Sequence, residues 1–175
     1  MDKKLRNWQI AGFIFTAALG TLLHFLYDWS GGNAAAALIS GVNESTWEHM
    51  KLLFVPLFVF ALIEYRFAGK TQEDYWCIKL TGTLLGLLLI PALYYGYTGA
   101  FGVSADWFNI SIFYITAAVV FLWESTHFGR SEPCFSSRLC FIMLIVIALA
   151  FVVFTFAPPR IPLFRDPITM MYGRV

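Results

Sequence analysis

Apolar residues in this chain gather into five long stretches: Trp8 to Tyr27, Trp47 to Tyr65, Tyr75 to Tyr95, Trp107 to Trp123 or a turn beyond, and Arg138 to Phe156. Each approaches or reaches the roughly 20 residues that a helix rising about 1.5 Å per residue needs to cross a hydrocarbon core. The pattern predicts an all-α, polytopic membrane protein: a bundle of five transmembrane helices over residues 1–157. All six tryptophans, Trp8, Trp29, Trp47, Trp76, Trp107 and Trp123, fall at or near segment ends, where an amphipathic ring prefers to sit. Between the first two segments, Ala34 to Gly41 is a shorter apolar run, which predicts a re-entrant or interfacial helix in the first loop. Pro56 and Pro91 interrupt the second and third segments, and each frees a backbone carbonyl by removing a donor.

Composition agrees with a membrane solvent. The 175 residues are 59% hydrophobic and only 13% charged, too apolar for a soluble domain of this length. A net charge of +1 without a basic, aromatic-laced stripe gives no reason to expect a nucleic-acid partner. The basic N-terminus and its apolar run resemble a secretory signal, but no small-residue cleavage site follows, so the segment is expected to be retained.

Lys3, Lys4 and Arg6 precede the first segment; Arg66, Lys70 and Lys79 surround the second loop; Arg130 and Arg138 flank the fourth. The first loop lacks Lys and Arg until Lys51, and the third has none. By the excess of basic residues in cytoplasmic loops, the N-terminus is expected inside and the C-terminus outside. Cys77, Cys134 and Cys140 then lie near the cytoplasmic side, where thiols stay reduced, and no disulfide is expected. Residues 158–175, which carry four prolines between Pro158 and Pro167, are expected to run extended and to pack on the outer face.

The densest polar passage is Gly41 to Lys51, GVNESTWEHMK. Counting helix rise places His24 and His49 at similar depths toward the outer face of neighbouring antiparallel helices, about 9 and 11 Å from the midpoints. Asp28 stacks one turn beyond His24. The same layer collects Glu44, Glu48, Tyr94, Tyr95, Tyr97, Asp106, Asn109 and the tail arginine Arg165. Imidazoles and carboxylates suit zinc or another divalent metal, and the same groups serve as general acid and base. His24 and His49 are therefore candidate metal ligands and Glu48 and Asp28 candidate catalytic carboxylates. Glu44, Tyr94, Tyr95, Asn109 and Arg165 are candidate ligand-binding groups. Each also has a purely structural account. Ser45-Thr46-Trp47-Glu48 reads as a capping box, which explains Glu48 without function. Glu44 suits a solvated helix start, and either histidine suits an interhelical hydrogen bond.

A second polar layer, Glu64, Glu124 and His127, lies near the inner face. Glu124 and His127 share a helix face in a Glu-x-x-His spacing that di-iron carboxylate bundles use twice and this chain has once. The preferred account is interfacial, Glu64 pairing with Arg66 or Lys70 and His127 sitting at its helix C-terminus.

The stretches HFLYDWSG (His24 to Gly31), VNESTWEHMKLLFVP (Val42 to Pro56) and PPRIPLFRDPITMMYG (Pro158 to Gly173) resemble a family of small bacterial integral membrane proteins of the Firmicutes type, a domain of unknown function. The resemblance covers essentially the whole length and implies a bacterial inner membrane; it carries no activity and no functional residues. It leads one to expect a glycine after Thr169, where this chain has Met170 and Met171, a substitution that argues against a tight turn there.

Three readings of function follow. In the first, an outward-facing His/carboxylate/Tyr pocket binds a metal ion or small polar ligand, as in a membrane-embedded metal-dependent enzyme. In the second, two polar layers roughly 20 Å apart by helix rise mark a route for an ion or solute; the apolar run Leu84 to Ile90 argues against it. In the third, a structural or accessory subunit uses its polar residues only to pin helices together.

Overall fold

Asn and Ser side chains write several of the helix starts. Asn33 Oδ1 accepts the Ala35 amide to open α2 (Ala34–Ala37), Ser45 caps α3 (Thr46–Phe67), and Ser136 caps α6 (Ser137–Phe156), each satisfying an amide that has no partner within its helix. The remaining helices are α1 (Lys3–Trp29), α4 (Tyr75–Phe101) and α5 (Asp106–His127), with short 3-10 turns at Gly69–Thr71 and Pro162–Phe164. α4 stops at Gly102, whose φ of 68° is the left-handed conformation that closes many helices. A computed structural model describes residues 3–72, 74–128 and 134–174; Arg130 lies outside them. Among the described residues there are six α-helices and no strand.

Each of the five apolar stretches is helical, and the observed helices extend several of them by a turn or more. Four helices, α1, α4, α5 and α6, are long and apolar enough to cross a membrane. They turn apolar side chains outward: Ile10, Ile14 and Leu22 on α1, Leu122 on α5, and Ile142, Val146, Leu149 and Val153 on α6 are all exposed. Such a surface suits hydrocarbon and not water. α3 has the length but a different character. It packs against α1, α4 and α6, and it buries Glu48, Lys51 and Glu64 along with its core side chains. The helix expected in the first loop is one turn only.

Pro56 and Pro91 are accommodated inside α3 and α4. Pro56 leaves the Leu52 carbonyl without its usual helical donor, and α1 comes close at that point: a Cβ on Gly20 would stand 3.0 Å from that oxygen. The small residue lets the two backbones approach.

The tail folds back over the end of the bundle that holds the first loop. Phe164 packs against Trp47 and Phe154. Asn43 donates to the Gly173 carbonyl at 2.9 Å, and Arg174 donates to the Tyr27 hydroxyl and the Gly32 carbonyl. Contrary to the expectation drawn from Met170 and Met171, a tight turn does form. Asp166 accepts from the Ile168 amide and the Thr169 hydroxyl, its amide donates to Met171 O, and Met170 takes a φ of 62°. The aspartate bonds supply what glycine would otherwise have supplied. The cysteines also depart from expectation: Cys77 and Cys134 are joined as a disulfide, with Cys140 beside them.

A left-handed conformation costs a non-glycine residue about 1–2 kcal/mol, and glycine's looser unfolded chain takes back about 0.5–1 kcal/mol. Met170→Gly is therefore expected to raise stability by up to about 1.5 kcal/mol, read as a higher thermal midpoint in detergent. Met170→Val, β-branched at positive φ, is expected to lower it.

Candidate functional site

His24 sits near the end of α1, His49 in the first turn of α3, and Glu44 in the loop just before it. The loop is held from two sides. Asn43 Oδ1 accepts the Ser45 amide at 2.9 Å while its amide group is tied to Gly173 in the tail, so Glu44 projects from a fixed turn. Glu44 reaches both imidazoles: Oε1 lies 3.7 Å from His24 Nε2 and Oε2 lies 3.5 Å from His49 Nε2. The two rings are 5.7 Å apart, and one donor atom from each of the three residues falls within 4.8 Å of the others. The depth expected for the two histidines thus brings them together, and Glu44 completes the group.

His49 Nδ1 lies 3.0 Å from the Ser45 carbonyl. A carbonyl only accepts, so Nδ1 carries a hydrogen, which turns Nε2 toward Glu44 at 3.5 Å: a protonated ring donates to the carboxylate there, and a neutral one presents a lone pair beside it.

These three residues line one end of a cavity of about 580 Å³. Thr21 and Tyr114, hydrogen-bonded to each other at 2.9 Å, also line it, together with Tyr94, Ser104, Asp106, Asn109 and, from the tail, Pro167 and Ile168. Asn109 donates to Ser104, and its Oδ1 is buried without a partner, an acceptor free to bind a donor on a ligand. Thr21, Ser104 and Tyr114 went unnoticed in sequence because hydroxyls inside apolar helices are common and give no spacing signal.

Several expected members stand elsewhere. Glu48 is not in the cavity: its carboxylate accepts from Lys51 Nζ at 2.6 Å, from Thr155 at 2.9 Å and from the Val42 amide at 3.2 Å, at 2% exposure. Only half of the expected capping box forms. Ser45 Oγ accepts the Glu48 amide at 3.4 Å, while the Ser45 amide is taken by Asn43. Asp28 is exposed on α1, and Arg165 is exposed on the tail; neither lines the cavity. Tyr95 turns aside to accept from Thr46 at 3.3 Å.

Lys51 and Lys79, counted in sequence as loop charges, are both buried. Lys51 Nζ donates to Glu48, to Thr155 Oγ1 and to the Ala37 carbonyl, which uses all three of its hydrogens and ties α2, α3 and α6 together. Lys79 lies between Glu64 and Glu124, 2.6 Å from an oxygen of each. Glu64 also accepts from Gln9 and from Tyr75, so this second knot joins α1, α3, α4 and α5. Gly82 leaves room for it, since a Cβ there would come 3.0 Å from Glu124 Oε1. The pairing expected for Glu64 with Arg66 or Lys70 is thereby corrected. His127 is apart from the knot, stacked on Trp123 with Nδ1 2.7 Å from its carbonyl. The Glu-x-x-His pair therefore shares a helix without sharing a site. The signal available in sequence was a lysine one helical turn inside an apolar segment, a position that burial in hydrocarbon forbids unless a carboxylate meets it.

Helical architecture, outward apolar faces and internally paired charges define a membrane-like helical protein. The chain belongs to the Family of unknown function (DUF6512), whose model matches residues 1–174. No curated protein and no solved structure matches it.

Removing one partner of a buried ion pair costs about 3–5 kcal/mol, whereas replacing the whole group by neutral residues of similar size is often harmless. Lys79→Met is accordingly expected to lower the detergent melting midpoint sharply, and the triple change Lys79→Met, Glu64→Gln, Glu124→Gln to recover most of the loss. A single variant that melts like the parent would contradict the assignment.

Proposed function

We propose that the chain is a five-span membrane protein, N-terminus cytoplasmic and tail extracytoplasmic, whose outward-facing pocket binds a divalent transition-metal ion on His24, His49 and Glu44. α3 serves as the fifth span: at 22 residues it is about 33 Å long, enough for a core of about 30 Å. Glu48, Lys51 and Glu64 are turned inward and paired, and the exposed Arg66 sits in its last turn, where a long basic side chain reaches the interface.

The observation that carries the metal reading is the meeting of two imidazoles with one carboxylate at 3.5 and 3.7 Å. These separations exceed a hydrogen bond. An ion held about 2.0–2.2 Å from each donor spaces tetrahedral ligands by roughly 3.4 Å, close to both. His49 is oriented by Ser45 O in the manner usual for a metal-bound histidine. Two histidines and a carboxylate leave coordination positions open, toward a cavity whose polar wall is Tyr94, Ser104, Asp106 and Asn109. An ion there would act as a Lewis acid or would activate water for a small polar substrate. Asp106, which also lines the cavity, would be the carboxylate to take a proton; Glu48 and Asp28 do not line it. Passage through the bundle is the weaker reading, because Leu53, Phe60, Val120 and Phe121, all buried, fill the level between the cavity and Lys79.

Protein purified without chelator is expected to carry about one equivalent of zinc, or to take it up with a thermal shift that grows with concentration, near 2.7 kcal/mol at 100 times the dissociation constant. His24→Ala with His49→Ala is expected to abolish binding and Glu44→Gln to weaken it. Affinity is expected to fall in acid, because imidazole binds metal only when neutral. Equal uptake by parent and double variant, followed by elemental analysis, would end the proposal.

A further inference from the structure

Three cysteines from three segments meet at the opposite end of the molecule from the histidines. Cys77 lies in the first turn of α4 and Cys140 in the first turn of α6, while Cys134 precedes α6. Cys77 and Cys134 are joined, and Cys140 Sγ is 2.9 Å from Cys77 Sγ. All three sulfurs lie within 4.8 Å of one another. A disulfide between two of them gives no reason for the third to be buried against the pair. Cys140 is nonetheless 1% exposed and packed into the core.

We infer that Cys77, Cys134 and Cys140, when reduced, form a three-thiolate site for a thiophilic d10 cation, Zn2+ or Cu+. Thiolate sulfur is the ligand such ions favour, and three sulfurs around one point satisfy a trigonal ion or leave one position of a tetrahedral ion open. The positive ends of the α4 and α6 dipoles lie at the cluster and offset the negative charge that three thiolates bring. No carboxylate or imidazole joins the cluster among the described residues, so its preference differs from that of the nitrogen and oxygen group on α1 and α3. Conversion from the joined form needs an external dithiol. Its two sulfurs become a disulfide while Cys77 and Cys134 gain its two electrons and two protons; the ion then displaces the protons of all three thiols to solvent. The cluster thus holds either a disulfide or a metal ion, and in both states it fastens α4 to α6.

The test uses full-length protein in detergent carrying His24→Ala and His49→Ala, which removes the histidine site. The protein is reduced with dithiothreitol, freed of reductant without air and titrated with Cd2+. The near-ultraviolet sulfur-to-cadmium charge-transfer absorption is expected to saturate at one ion per chain and to be displaced by Cu+. Cys140→Ser is expected to weaken binding by at least the roughly tenfold typical of losing even an outer partner of a metal ligand, with helix content unchanged. Cys77→Ser with Cys134→Ser is expected to abolish the band. Absence of the band in protein whose three thiols react with maleimide would overturn the inference. So would unchanged affinity in Cys140→Ser, or a Cys77–Cys134 disulfide that dithiothreitol does not reduce.

Discussion

Glu48 and Glu64 stand near the two ends of α3, sixteen residues or about 24 Å apart along the axis, and each is held to a lysine away from solvent. These two knots are the constraint on which the rest of the bundle depends. A charge in hydrocarbon is tolerated only when it faces inward and is paired, so Lys51 and Lys79 dictate which face of α3 and α4 points to the interior. The Lys79 knot draws α1, α4 and α5 around α3 through Gln9, Tyr75 and Glu124. The Lys51 knot draws α2 and the end of α6 onto it through Ala37 and Thr155. Apolar packing alone gives little preference inside a bilayer, where lipid is as apolar as the core. Directional bonds with a defined partner set the register instead.

The pocket follows from the Lys51 knot. Lys51 and Glu48 fix the start of α3 and the single turn of α2, and His49 rides on that first turn, one residue beyond Glu48. The loop that carries Glu44 is fixed by Asn43, which the tail holds through Gly173. Gly173 adopts a φ of 69°, and a Cβ there would crowd Pro158 at 3.0 Å, so the chain comes close enough to make that bond only because the residue is glycine. A buried ion pair, a loop and a C-terminal strap together hold one carboxylate between two imidazoles.

What could be read in advance divides along a physical line. Helices were legible because length and apolarity are local properties, and the shared depth of His24 and His49 followed from helix rise alone. Glu48 was misassigned because a capping box is also local: Ser45 does cap α3, but the carboxylate found better partners in Lys51 and in Thr155, 107 residues away. Lys51 and Lys79 were counted as loop charges because a tally of basic residues cannot see that Glu124 lies 45 residues on and on an adjacent helix. Asp28 illustrates the reverse: stacking one turn above His24 does not suffice for sharing its site, since His24 lines the cavity and Asp28 is exposed outside that lining. The cysteines were judged by compartment, and compartment says nothing about which three side chains three distant segments bring to one point.

Small residues decide how deep the pocket runs. Its lining stops at Gly20, Leu52, Ile90 and Ile112. Below that level a Cβ on Gly86 would meet Val120 at 2.8 Å and Leu53 at 2.9 Å, so α3, α4 and α5 touch there with no room for a single added methyl group. Thr16 and Thr116 sit in the same region, fully buried and with hydroxyls unpartnered, and two isolated hydroxyls fall short of the continuous polar lining that an ion needs in a low-dielectric medium. The glycine that lets the helices close therefore also ends the cavity's lining at this level, and the two imidazoles, the carboxylate and the free amide oxygen all belong to the lining on its near side.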